Sequence, residues 1–145
     1  MHTDRVDLPA KDSSTDRLET LYSIEEKDRK RAKQSMDITG RKLFVKALQE
    51  EGVDTIFGYP GGTVTDLFDE LYKQDGIEIV LPRHEQGLLH EAEGYAKSTG
   101  KVGVCLVTSG PGATNIITGL ADAHYDSIPL VCFTGQVPLS LIGND

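Results

Sequence analysis

At 145 residues, 38% of them hydrophobic, the sequence has room for one modest core and excludes a second full domain. Its formal charge of −8 argues against nucleic acid and anionic membranes as partners, because both are held through clustered Lys and Arg. The two cysteines, Cys105 and Cys132, each inside an apolar run, read as buried reduced thiols with no disulfide framework or zinc spacing, and the lack of an apolar run of about 18 residues or of an apolar signal core points to the cytoplasm.

From Met1 to Met36 eight basic and eight acidic residues cancel, so the whole net charge sits after that stretch. This shift in composition marks residues 1–36 as a charged, solvated arm and 37–145 as the folded domain. Within the arm, Leu18 to Lys33 has helical propensity, although Glu25 to Lys33 is almost wholly charged. The acidic content is unlike that of an organelle transit peptide.

After Asp37, helix and strand alternate. Ile38, Leu43, Phe44, Ala47 and Leu48 recur at helical spacing before Gly52. Thr55 to Phe57 begins a strand that ends at Gly58, followed by a turn-prone segment. Val64, Leu67, Phe68 and Leu71 mark a second helix, and Ile77 to Leu81 a second strand that Pro82 breaks. A third helix is predicted from Glu85 to Ser98, a third strand from Val102 to Val107, a fourth helix from Ala113 to His124 and a fourth strand from Ile128 to Phe133. The unbroken apolar run Val104-Cys105-Leu106-Val107 is expected where both faces of a sheet are covered. The fold class is therefore α/β, a doubly wound parallel sheet flanked by helices.

In such a sheet every loop from a strand to the next helix leaves at the carboxyl edge, where ligands bind. Four loops qualify: Gly58-Tyr59-Pro60-Gly61-Gly62, Pro82-Arg83-His84-Glu85-Gln86-Gly87, Thr108-Ser109-Gly110-Pro111-Gly112-Ala113-Thr114-Asn115 and Thr134-Gly135-Gln136-Val137-Pro138. Their glycines permit close backbone approach, and Arg83, His84 and Glu85 form the one ionisable cluster among them. Simpler readings stand beside this one. The Gly110 to Asn115 loop lacks the Lys-Ser/Thr of a P-loop and the three-glycine dinucleotide spacing, and its simpler reading is a tight turn between strand and helix. Charged residues at a helix start often only cap it, and a first-turn Glu is favoured by the helix dipole. No partner at ligand spacing marks His84 as a metal ligand, His90 and His124 read as surface or packing residues, and no Ser-His-Asp set emerges.

Taken together and in this order, the four loops resemble the N-terminal pyrimidine-binding domain of the acetolactate (acetohydroxyacid) synthases. The likeness runs from about Asp37 to Asp145. The Tyr-Pro-Gly-Gly loop, Thr134-Gly135-Gln136-Val137-Pro138 and the terminal Ile142-Gly143-Asn144-Asp145 make it more specific than a likeness to thiamine-diphosphate enzymes at large. The resemblance implies thiamine diphosphate as cofactor and Glu85 as the catalytic carboxyl group, hydrogen-bonded to N1′ of the aminopyrimidine so that the cofactor's own imine removes its C2 proton. Burial beside an uncharged ring favours the protonated carboxyl group that donates this bond. Tyr59, Pro60, Gly61 and Gly62, with Ser109, Gly110, Pro111, Gly112, Asn115 and Gln136, are implied to line the cofactor.

By the same resemblance pyruvate is decarboxylated and joined to a second 2-oxo acid, pyruvate or 2-oxobutyrate, in branched-chain amino-acid biosynthesis. Mg²⁺ and FAD are implied for the complete enzyme but are held mainly by domains this sequence lacks, no metal ligand being expected here. A homo-oligomer or a diphosphate-domain partner is implied, since the family's active site lies between subunits, along with a regulatory subunit. The lone chain is therefore expected to be inactive. One departure is Leu88 and Leu89, where family members carry small residues, so packing against the cofactor or partner domain is expected to differ. Two alternative readings are a pyrimidine-binding subunit of a split thiamine-diphosphate decarboxylase and a non-catalytic interaction module of the same fold.

Overall fold

The computed structural model describes Glu19, residues 21–29 and residues 38–143. The chain divides into two compact units between Ile38 and Thr39. In the first, Glu19 and residues 21–29 are helical and exposed, within the helix expected over Leu18 to Lys33. The remainder of the expected arm lies outside the described residues, as do Asn144 and Asp145 of the terminal motif.

The second unit alternates helix and strand: α1 (Gly40–Glu50), β1 (Thr55–Tyr59), α2 (Thr65–Leu71), β2 (Glu78–Val80), α3 (Glu85–Thr99), β3 (Gly103–Val107), α4 (Pro111–Asn115), α5 (Ile117–Tyr125), β4 (Leu130–Thr134) and a 3₁₀ turn (Leu139–Leu141). The strands form one sheet in the order β2-β1-β3-β4, and every pair is parallel. The predicted doubly wound α/β class is what is observed.

Strand alternation builds two cores. Ile56, Val104 and Leu106 face one way and pack with Val45 and Leu48 of α1 and Phe68 and Leu71 of α2. Phe57, Cys105 and Val107 face the other way and pack with Leu88, Leu89 and Ala92 of α3 and with Ile116. All five residues of β3 are buried, the pattern of a strand covered on both faces.

Several boundaries differ from expectation for local reasons. In α1 the buried residues are Val45 and Leu48, and Leu43 and Ile38 are exposed, so the inward stripe runs through Phe44, Val45 and Leu48. The single helix expected from Ala113 to His124 is two, α4 and α5, separated at the buried Ile116. The Thr114 hydroxyl donates to the Pro111 carbonyl at 3.1 Å, a local bond that competes with helix continuation. β4 starts at Leu130, after Pro129, which has no N–H to give a ladder; the Pro129 carbonyl instead accepts from the Gly103 N–H. Leu81 is exposed and lies outside β2. Cys105 is buried as expected, but Cys132 is only half-buried, because β4 is the outer strand of the sheet.

Leu88 and Leu89, expected to alter the local packing, are fully buried. A Cβ on Gly119 of α5 would lie 2.4 Å from Leu89 Cδ2, so Leu89 occupies space that Gly119 leaves empty. The larger side chain is absorbed between α3 and α5.

Candidate functional site at the carboxyl edge of the sheet

Because all four strands run the same way, Tyr59, Val107 and Thr134 end at one edge, with Tyr59 beside Val107 and Val107 beside Thr134. The chain leaving β2 reaches the same edge and starts α3 at Glu85. His84 is the N-cap of this helix, its Nδ1 accepting from the Gln86 N–H at 3.1 Å. The bland reading of a capping residue therefore holds for His84, which along with Arg83 is exposed.

Glu85 is different. Its residue surface is only 9% exposed, and Oε2 accepts a hydrogen bond from Asn115 Nδ2 at 2.9 Å. Oε1 lies 3.6 Å from where a Cβ on Gly112 would stand. A carboxyl group at a helix N-terminus is favoured by the dipole, but a cap would be turned to its own backbone and the solvent. This one is turned across to the loop after β3, 30 residues away.

The loops after β1, β3 and β4 are tied together at two threonines that the sequence reading did not single out. The hydroxyls of Thr63 and Thr108 are 3.0 Å apart, and the Ser109 N–H donates to Thr63 Oγ1 at 3.1 Å. Glycines make the approach possible. A Cβ on Gly61 would stand 2.5 Å from Thr108 Cβ, one on Gly112 2.8 Å from Thr108 Cγ2, and one on Gly135 2.0 Å from Thr63 Oγ1. Gly110, at φ 62°, adopts the left-handed turn that opens α4. Thr63 follows the Gly61-Gly62 pair directly, and that adjacency was the one available signal for it.

The sequence-predicted residues divide accordingly. Glu85, Gly112 and Asn115 meet directly, and Gly61 reaches the same cluster through Thr108. Ser109 joins it through its backbone N–H. Tyr59, Pro60, Gly62, Gly110 and Pro111 are exposed at the same edge. Gln136 is exposed too, and its side chain accepts from the Val137 N–H at 2.8 Å, so it folds back on its own loop.

Two other polar clusters lie away from this edge. At the amino edge a cleft of about 310 Å³ is lined by Asp54, Thr55, Tyr95, Lys101 and neighbours. Hydrogen bonds from Lys101, then Tyr95 and Thr55, hold the Asp54 carboxyl down at about 2. Its polar groups satisfy one another, which is the pattern of a structural clasp. On the outer side of α3, His90 Nδ1 is 2.8 Å from the buried Glu93 and 3.6 Å from Asp122 of α5. His90 thus packs as expected, in a polar bridge from α3 to α5.

A nearly buried carboxyl group is thus packed against glycine, at the edge where a parallel sheet takes its ligands. Residues 38–145 match the model described as thiamine pyrophosphate enzyme, N-terminal TPP binding domain. The chain belongs to this family. Its relatives include the acetolactate synthase large subunit of Lactococcus lactis subsp. lactis (strain IL1403), 58% identical over 117 residues, which cover 80% of this chain and 20% of that protein. The mitochondrial acetolactate synthase catalytic subunit of Saccharomyces cerevisiae (strain ATCC 204508 / S288c) is 52% identical over 120 residues, 79% of this chain and 18% of that protein. The acetolactate synthase isozyme 3 large subunit of Escherichia coli (strain K12) is 56% identical over 108 residues, 74% and 19% respectively. The chain thus spans about a fifth of the length of the curated relatives it matches. No helix among the described residues is long and apolar enough to cross a membrane.

Proposed function

We propose that this TPP-binding domain serves an acetolactate synthase, and that Glu85 is the carboxyl group hydrogen-bonded to N1′ of the thiamine-diphosphate aminopyrimidine. The observation that carries the reading is the Glu85 carboxyl, nearly buried, steadied by Asn115 at 2.9 Å and set against the bare Cα of Gly112. When bound, thiamine diphosphate supplies the carbanion chemistry that decarboxylates a 2-oxo acid.

This chain's residues bind, orient and hold a proton. Asn115 leaves Oε1 of Glu85 free for the ring nitrogen by occupying Oε2. The Thr63–Thr108 pair locks the β1 and β3 loops, so that Gly61 and Gly112 stay where a ring can approach, and preorganisation of this kind removes reorganisation from the reaction itself. Tyr59, Pro60, Gly62, Ser109, Gly110, Pro111 and Gln136 complete the lining of the cofactor. Gln136 reaches it after releasing the Val137 N–H.

The substrates are pyruvate with pyruvate or 2-oxobutyrate, the setting is cytoplasmic branched-chain amino-acid biosynthesis, and residues 1–36 form an arm ahead of the domain. Mg²⁺ and FAD serve the complete enzyme and are held mainly by other parts of it, along with the diphosphate-binding surface of a second subunit. A regulatory subunit is a further candidate partner. Acetolactate formation from pyruvate, with thiamine diphosphate, Mg²⁺ and FAD supplied, tests this. The chain alone is expected to form none, the chain with a diphosphate-binding partner to form it, and the same mixture carrying Glu85→Gln to fail. Activity of the lone chain, or full activity of the variant mixture, overturns the proposal.

A further inference from the structure

The face of the sheet that α3 covers holds two thiols side by side. Cys105 and Cys132 are register partners on adjacent parallel strands, so their side chains leave the same face at the same level. Neighbouring strands lie about 4.8 Å apart, within the Cα separation that a disulfide spans. Both cysteines are free. Cys105 is fully buried, and Cys132 is half-buried on the outer strand.

We propose that Cys105 and Cys132 form a dithiol that peroxide oxidises to an intrachain disulfide across β3 and β4. Cys132 reacts first. It is the more open of the two, and the hydrogen bond that Cys105 donates to it favours its thiolate while holding Cys105 protonated. The negative charge of the buried Glu93 acts on Cys105 in the same sense. The Cys132 sulfur attacks one peroxide oxygen, the O–O bond breaks, and a sulfenic acid and one water form. The Cys105 sulfur then attacks the Cys132 sulfur, the S–O bond breaks, and hydroxide leaves with the Cys105 proton as a second water. Two thiols lose two electrons and two protons, and hydrogen peroxide takes up both.

The chain between the two cysteines contains α4 and α5, and with them Gly112 and Asn115. Closing the bond therefore fastens both ends of the segment that steadies Glu85.

The test is to treat the folded chain with hydrogen peroxide, then follow intact mass, free thiols and a non-reducing peptide map. The expected result is loss of both thiols together, a mass lower by about 2 Da, and a Cys105–Cys132 linked peptide that dithiothreitol releases. In Cys105→Ala the linked peptide is absent and Cys132 is trapped by dimedone as its sulfenic acid. In Cys132→Ser the Cys105 thiol persists. Independent gains of oxygen at each cysteine of the unmodified chain, persistence of both thiols, or a link between two chains overturns the proposal. The peptide map of the unmodified chain decides the matter even if a variant does not fold.

Discussion

Leu89 and Gly119 form a lock between α3 and α5 whose strength can be worked out from their contacts. A methyl group added in Gly119→Ala would meet Leu89 Cδ2 at 2.4 Å, Cβ at 2.9 Å and Cγ at 3.0 Å. Overpacking of this kind costs about 1–3 kcal/mol, and the better helix propensity of Ala returns about 1 kcal/mol, so the net loss is about 1 kcal/mol. Leu89→Ala empties a fully buried site and costs about 3 kcal/mol. In the double variant the Cδ2 and Cγ contacts are gone and the new methyl fills part of the hole, while the Cβ contact remains. The pair should therefore be less destabilised than the sum of the single losses by about 1–2 kcal/mol. Equilibrium urea unfolding of the four proteins measures this, since 1 kcal/mol moves the midpoint by about 0.5 M. Additivity within about 0.3 kcal/mol would refute the claim that Gly119 makes room for Leu89.

Asn115→Ala leaves Glu85 Oε2 without its donor and should lower stability by about 1–3 kcal/mol, read by urea unfolding; an unchanged midpoint would mean that the bond at 2.9 Å does not hold in solution. The Asp54 clasp should weaken only in strong acid. Its carboxyl is held at about 2, below its ordinary 3.8, so its contribution is whole above the ordinary value and is lost as pH falls through the folded one. The gap in stability between the unmodified chain and Asp54→Asn, measured against pH, should therefore narrow from about pH 4 downward and close below about pH 2, and a gap that does not narrow over that range would contradict the assignment.

Much of this architecture could be read in advance because both faces of β3 are covered, which forces an apolar residue at every position and makes the strand visible without a partner. The carboxyl-edge loops followed from strand direction alone. What escaped was set by contacts between distant segments. The adjacency of Thr63 to Gly61-Gly62 marks its loop, but not that its hydroxyl meets that of Thr108 across 45 residues. The break between α4 and α5 falls at the buried Ile116, beside a side-chain bond from Thr114, inside a sequence whose propensity would allow the helix to continue. The room for Leu89 is made by Gly119 of α5, 30 residues away, and the half-exposure of Cys132 follows from the position of β4 in the sheet, which strand propensity does not encode. Glu85 stands out through the resemblance of its loop, while its turn toward Asn115 depends on a segment 30 residues away.

The role proposed for Glu85 is to hold a proton at N1′ of the aminopyrimidine. Deuterium exchange at C2 of thiamine diphosphate, followed by acid quench and proton NMR, measures it in the assembled enzyme before any substrate is added. Glu85→Gln should slow this exchange at least about a hundredfold, the scale of a lost acid–base group, with the cofactor still bound. An exchange rate equal to that of the unmodified enzyme would contradict the account.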